Sequence, residues 1–387
     1  MSPGKGQKQV RIVCFSEIQW KYVMTRKQQV INRFPAHWRV LFLSSVVKGK
    51  RNNFLPEKEG RVVHACVPIF KNFPPGIVRS IFSLPPVRFI WNVFVLIWIK
   101  ILLLVTGFSG AERVFYVSNI YYGAILPFFK RSLMFYDCND DHLAFPGTPR
   151  WAGGYFRKVA LSADFAITVS SGLTERLRSI GVGEIHRIGN GVDFELFSAG
   201  KESSPPEDIE AYRRPLIGYS GAIAPWFDFE LLEAVAASFP EASILMLGPV
   251  FEAVHGDLER VLEARRNIHH LGSKPHSELV RYLAALDVCI VPLLMNELMR
   301  LADPNKLYEY AAVGKPIVTM RFSRDLDSLS RFMQVAETRE EFVEKVRVAL
   351  SSEPRREELL EFARSSSWQA RADSIAALIT NELSATS

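Results

Sequence analysis

Short apolar runs separated by helix-length segments occur in two successive series, and this double alternation confines the chain to a pair of αβ units. Residues 10–15, 38–43, 61–67, 113–118, 133–138 and 165–170 read as strands of the first series. Residues 216–219, 244–247, 268–271, 288–292 and 316–320 read as strands of the second. The runs are apolar nearly throughout rather than at alternate positions, which is the pattern of strands covered on both faces. Parallel sheets flanked by helices are therefore predicted, an α/β fold. At 387 residues the chain exceeds the usual size of a single core. Residues 199–208, rich in Ser, Pro, Gly and charge, form the best linker and divide the chain into domains over 1–198 and 199–366. The stretch from residue 340 onward reads as helical almost throughout.

Charge follows the same division. Residues 1–200 hold 26 Lys+Arg against 12 Asp+Glu, a balance of +14, and residues 201–387 hold 21 against 29, a balance of −8. A basic half points to an anionic partner on one side, a phospholipid surface or a nucleic acid, with simple solubility as the plain alternative. No aromatic RNP pattern or helix-turn-helix is visible, so no nucleic-acid partner is expected. Residues 70–108 start Pro- and aromatic-rich, and from residue 89 they are apolar except for Lys100, long enough to span a bilayer. The strand-like runs at 61–67 and 113–118 should nevertheless join one sheet, and a single crossing would separate them. Two compatible readings remain, a helix packed on the sheet and a helix lying in the membrane interface. Cys14, Cys66, Cys138 and Cys289 are far apart and form no CxxC, so they read as reduced, buried thiols. Residues 1–9 are polar and basic with no apolar segment behind them. The expectation is a cytoplasmic protein, peripheral at the inner face of the cell membrane.

Chemistry concentrates in residues 303–318. A strand pattern runs into a polar loop, Pro304 opens a short helix, Gly314 closes it, and the next strand begins at Pro316. A helix N-terminus after a strand and a loop is an anion site, because its first-turn N–H groups are free. Lys306 adds a mobile cation, and Glu309, three residues on, can accept two hydroxyl hydrogen bonds from a ribose diol. The plain reading is a surface helix with an i,i+3 Lys–Glu pair. Gly218 and Gly221, at the end of the first strand of the second series, permit close backbone approach to a phosphate, although any strand–helix turn can carry glycines. Asp228 is placed to cap the following helix. In the first half Asp137, Asp140, Asp141 and His142 gather after a strand. They can supply a base, bind a cation or form a capped turn; without a second ligand cluster, no metal is expected. His269-His270 reads as packing, and no GxSxG, HExxH or P-loop occurs.

In their order and number these motifs resemble the GT-B glycosyltransferases of family 4, the glycosyl transferases group 1 type, and within it the teichuronic-acid and surface-polysaccharide subgroup. The carrying residues are Gly218-Tyr219-Ser220-Gly221 with Trp226 and Asp228, Leu247-Gly248-Pro249, Asn267 to Gly272, Asp287 to Pro292, and Pro304-Asn305-Lys306 with Glu309, Tyr310 and Gly314-Lys315-Pro316. Ile188-Gly189-Asn190-Gly191-Val192-Asp193 matches the end of the family's first domain, and Ser367-Trp368 with Arg371 the start of its terminal helix. The resemblance implies two Rossmann-like domains facing across a cleft, with a helix over about 367–387 packing back on the first. It implies a hexosyltransferase-type enzyme of polysaccharide biosynthesis that retains anomeric configuration. The donor would be a nucleotide diphosphate sugar and the acceptor a lipid-linked or cell-surface glycan, with no tightly bound cofactor and no metal. Gly221, Ala222, Gly248, Ser273, Lys274, Asn305, Lys306 and Glu309 would hold the donor. Lys306 and the Gly221 loop would neutralise the leaving diphosphate. Catalytic roles would fall to Glu309 and, facing the reacting sugar, to Asp140 and Asp141. The basic half and residues 70–108 would meet an anionic membrane.

Departures are plain. Leu301 stands where the broader family has a glutamate, so that sugar contact is missing or supplied by Glu297. Ala222 replaces an arginine, and residues 16–20 replace a glycine-rich loop. A non-catalytic partner subunit and a sugar-nucleotide epimerase on the same fold are the alternatives.

Overall fold

A computed structural model describes residues 9–21, 24–47, 49–70, 77–110, 112–145, 147–202, 204–353 and 355–385. Residues 71–76 of the expected membrane-facing segment lie outside the described residues. The chain forms two compact units, Met1–Gly189 with Arg371–Ser387, and Asn190–Ala370. The division falls upstream of the boundary expected after residue 198, for a packing reason. Val192, Phe194 and Phe197 are buried in the second unit's core. Val192 also exchanges backbone hydrogen bonds with Ser366 and Trp368, at 3.2 and 2.9 Å.

The first unit is built on β1 (Arg11–Ser16), β2 (Arg39–Val46), β3 (Glu57–Glu59), β4 (Val62–Phe70), β5 (Val114–Val117), β6 (Leu133–Cys138), β7 (Phe165–Thr168) and β8 (Ile185–Arg187). Their order in the sheet is β3-β4-β2-β1-β5-β6-β7-β8, parallel except for the β3–β4 pair. β3 is not among the predicted strands, because three exposed residues carry no apolar period by which to see a strand.

β9 (Leu216–Ser220), β10 (Ser243–Leu247), β11 (Ile268–His270), β12 (Val288–Val291), β13 (Ile317–Met320) and β14 (Gln334–Ala336) form the second sheet. It is wholly parallel, in the order β11-β10-β9-β12-β13-β14. Chain direction through the sheet thus reverses between β9 and β12. Ligands of doubly wound sheets bind beyond the carboxyl ends of the strands at such a reversal. In the first unit the corresponding point lies between β1 and β5.

The helix Pro85–Val105 lies in the connection between β4 and β5, which belong to one sheet. By length and composition it could cross a membrane, yet one stripe of it, Val95, Ile99, Leu102 and Leu103, is buried in its unit. Ile90, Phe94, Ile97, Ile101 and Leu104, spaced by four and three residues along the other side, remain exposed. All four cysteines are buried and free.

Candidate functional site

The site grows from the carboxyl edge of the second sheet. β9 ends at Ser220, and Gly221 turns the chain with φ 139°. Its N–H donates to the Leu247 carbonyl at 2.8 Å. Gly248, at φ 143°, lies so close that a Cβ there would stand 2.0 Å from the Gly221 carbonyl oxygen. Two glycines are therefore required where the turns after β9 and β10 press together, and a cradle of bare backbone results. The Gly248 N–H continues the line by donating to Gly272 O at 2.9 Å, after β11.

Above this cradle stands the helix Asn305–Ala312. Pro304 at its N-cap supplies no side-chain acceptor, so the first-turn N–H groups are not capped from that position. Lys306 leans onto the cradle: its Nζ lies 4.9 Å from the centre of the Tyr219 ring. A Cβ on Gly221 would stand 2.8 Å from its Cε and Nζ. The ring is held in turn, its hydroxyl donating to Ala222 O at 2.9 Å. Buried Tyr310, on the same helix, accepts from the Ser220 N–H at 2.7 Å, which ties helix to strand end. The loop before the helix is fixed by Asp303. Its Oδ2 accepts from the Asn190 N–H at 2.6 Å and its Oδ1 from the Tyr308 hydroxyl at 2.8 Å. An ammonium, a helix N-terminus and a glycine cradle thus converge at the reversal point, an arrangement that binds phosphate.

Glu309 is partly buried, and its Oε1 lies 3.5 Å from His276 Nε2. The histidine is the residue that sequence reasoning missed. It opens the helix His276–Ala285 and packs edge-on against Phe197 at 4.9 Å. Its hydrogen bond with Glu309 raises its pKa above the usual 6.5 against the downward pull of burial, and the charges of Glu309 and Asp193 add to the rise. Because the folded value is the higher one, the stabilisation is full below about pH 6.5 and is lost as pH climbs through the raised value. The melting-temperature gap between the parent and His276→Gln should therefore be largest at the acid end of a series from about pH 5.5 to 8.5 and close toward the alkaline end. A gap that does not change with pH contradicts this pairing.

The remaining expected residues occupy the same edge with different commitments. Asn305 is half-buried in the helix's first turn, and Ser273 is exposed after β11. Lys274 is engaged by its own surroundings: it pairs with Asp208 at 2.9 Å and lies 4.6 Å from the Tyr282 ring centre. Those bonds raise its pKa, chiefly the one with Tyr282. That ammonium is tied to its own partners, whereas the Lys306 ammonium lies against the glycine turn. Leu301 ends the short helix Glu297–Arg300, where Glu297 is exposed.

In the first unit, the acidic group after β6 separates into distinct environments. Asp137 is fully buried, takes Arg26 Nε at 2.9 and 3.1 Å on its two oxygens, and accepts from the Tyr116 hydroxyl at 2.6 Å. Asp141, expected to face a sugar, pairs with Arg176 through one oxygen and accepts from the Leu143 N–H at 3.0 Å through the other. This is a capped turn, and both of its oxygens are occupied. Asp140 is half-buried beside it. At the reversal point of this sheet, buried Lys27 and Glu17 pair at 2.5 Å and Ser118 donates to the second Glu17 oxygen at 3.0 Å. Burial pulls the Lys27 pKa down, but Glu17 outweighs it and the net shift is upward.

Residues 214–352 match the family described as glycosyl transferases group 1. This segment is a group 1 glycosyltransferase domain. Every second-unit site residue discussed above falls within it except the clamp residue Asn190, with Asp193, Phe197 and Asp208. Among similar proteins, TuaH of Bacillus subtilis (strain 168), a candidate teichuronic acid biosynthesis glycosyltransferase, is 29% identical over 196 residues, 47% of this chain and 49% of its own length. The chain spans about half the length of this curated relative. Among solved structures, the E. coli trehalose-6-phosphate structure bound with UDP-2-fluoro glucose superposes with a TM-score of 0.73 at 10% identity, covering 96% of this chain and 99% of that one. Sucrose-phosphate synthase from Thermosynechococcus elongatus gives 0.70 at 14% identity, with 97% and 100% covered. At such identities the likeness carries the fold, and the fold of the chain that bears the group 1 domain is GT-B.

Proposed function

We propose that the protein transfers a sugar from a nucleotide diphosphate sugar to a lipid-linked or cell-surface glycan acceptor, with retention of anomeric configuration, in polysaccharide biosynthesis. The observation that carries this reading is the Lys306 ammonium seated on the Tyr219 ring against Gly221, at the reversal point of a group 1 domain. The diphosphate lies over the glycine cradle at the helix N-terminus, and Lys306 meets the charge that develops as it leaves. Glu309 accepts the ribose hydroxyls through Oε2, which has no protein partner among the described residues, while His276 steadies Oε1. In the transfer an acceptor oxygen bonds to the anomeric carbon and the bond from that carbon to the diphosphate oxygen breaks. The hydroxyl proton leaves with the nucleoside diphosphate.

The named functions of relatives support the class of donor and acceptor. TuaH is assigned to a teichuronic acid, and the E. coli neighbour binds a UDP-sugar. The basic first half and the exposed stripe of Pro85–Val105 support work at the inner face of the membrane, with the anionic lipid surface as partner. For the donor site, Glu309→Ala should weaken nucleotide-sugar binding by roughly 10- to 100-fold, as expected for losing hydrogen bonds to a charged acceptor. Titration of the parent and variant with a panel of nucleotide sugars measures it, and unchanged affinity refutes the ribose assignment.

A further inference from the structure

The first unit holds an open cavity of about 500 Å³ that the donor chemistry does not use. One wall is a single stripe of the helix Pro85–Val105, formed by Phe89, Val93 and Leu96 with Arg88 and Asn92 among them. The facing wall is Ile125 and Phe128, with Tyr155 and Lys158 beside them. Asn92 Nδ2 donates to the Tyr155 hydroxyl at 2.8 Å and so bridges the two walls. The volume falls within the range of about 300–1,000 Å³ usual for small-molecule sites. Phe89 and Phe128 leave 69% and 64% of their surface exposed there, an arrangement that water alone disfavours.

Charge indicates what covers these apolar walls. Arg88 and Lys158 both line the cavity, and among the described residues no carboxylate does. Arg88 is oriented by donating Nη1 to the Phe82 and Ser83 carbonyls, with its guanidinium 5.0 Å from the Trp151 ring centre. Lys158 is exposed. The sequence around them carries one sign only. No Asp or Glu lies between Glu59 and Glu112, between Glu112 and Asp137, or between Asp141 and Asp164, and all three segments supply walls of the cavity. An aliphatic body with an anionic head complements such a site; a neutral apolar molecule or a peptide with acidic and basic residues does not use it fully.

We infer that this groove seats the single aliphatic chain of a phosphate-headed lipid, its phosphate between Arg88 and Lys158. The ligand is the lipid anchor of the acceptor, so the inference rests on the lipid-linked acceptor reading and adds a site for it. Ile90, Ile97, Ile101 and Leu104 of the outer stripe do not line the groove; they lie about a quarter-turn round the helix from Phe89, Val93 and Leu96. A general membrane contact through that stripe does not require the groove, and the two can be told apart.

The test is equilibrium binding of farnesyl phosphate to the full chain in the absence of nucleotide sugar, so that a failure of transfer chemistry leaves the result readable. Farnesol, inorganic phosphate and phosphatidylglycerol vesicles are the comparison probes. Farnesyl phosphate should bind the parent at least tenfold more tightly than farnesol or phosphate. Val93→Trp, which fills the groove, and the surface change Lys158→Gln should each weaken it at least tenfold, while vesicle co-sedimentation stays within about twofold. Equal binding by both variants, equal binding of farnesol, or no binding of farnesyl phosphate by the parent overturns the site. Parallel loss of vesicle binding in Lys158→Gln also overturns it, since the groove would then be only part of a general membrane surface. Retained farnesyl phosphate binding without sugar transfer would instead count against the proposed reaction.

Discussion

Lys306→Ala is expected to lower kcat by about 10²- to 10³-fold, the usual effect of removing one preorganised group that meets developing charge. The lysine is suited to that role by its seat. Tyr219 lies under the ammonium at 4.9 Å, and the bare backbone of Gly221 lets it come close to the turn. The nearby Lys274 cannot replace it without breaking its pair with Asp208 and leaving the Tyr282 ring. Little of the fold depends on the change. Lys306 is half-exposed, and a cation over a ring contributes about 0.5–1 kcal/mol at such a position. Steady-state kinetics with a melting curve on the same preparation checks both parts. A variant that melts normally and keeps full turnover removes Lys306 from the mechanism.

Arg26→Ala should be the most destabilising of the single changes considered, by about 3–5 kcal/mol, because it strands a buried carboxylate. Asp137 is 1% exposed and receives the arginine on both oxygens. The same guanidinium donates to the carbonyls of Ile188 and Gly189 at 2.9 and 2.7 Å, the last two residues before the chain enters the second unit. Its loss thus frees a carboxylate and two carbonyls at once. Chemical denaturation measures the loss. The double variant Arg26→Met with Asp137→Leu should recover much of it, because no unpaired charge is left behind. A single variant as stable as the parent contradicts the buried-pair account.

The two sheets were legible because their strands are buried on both faces and therefore apolar along their length. β3 and β14 were not, being three-residue strands at sheet edges, with β3 wholly exposed. The Lys306–Glu309 helix could be read from its proline, its glycine and the strands around it, since these are local signals. His276 could not: it reaches Glu309 from an element about thirty residues earlier, and its own surroundings, Pro275 and Ser277, read as an ordinary helix start. Asp141 shows an ambiguity that local sequence does not resolve. A carboxylate at a strand end suits both chemistry and turn capping, and only the approach of Arg176 decides between them. Likewise the linker-like composition of residues 199–208 was visible, whereas the burial of Phe194 and Phe197 that moves the boundary depends on tertiary packing.

The central claim is that the group 1 domain presents an activated sugar for transfer. Its most direct measurement is release of nucleoside diphosphate from a panel of nucleotide sugars, with and without a lipid-linked acceptor, followed by analysis of the sugar's fate. The account predicts one or a few productive donors, release that depends on acceptor, and the sugar recovered on the lipid. An epimerised donor with no transfer, or no turnover of any nucleotide sugar, would contradict it.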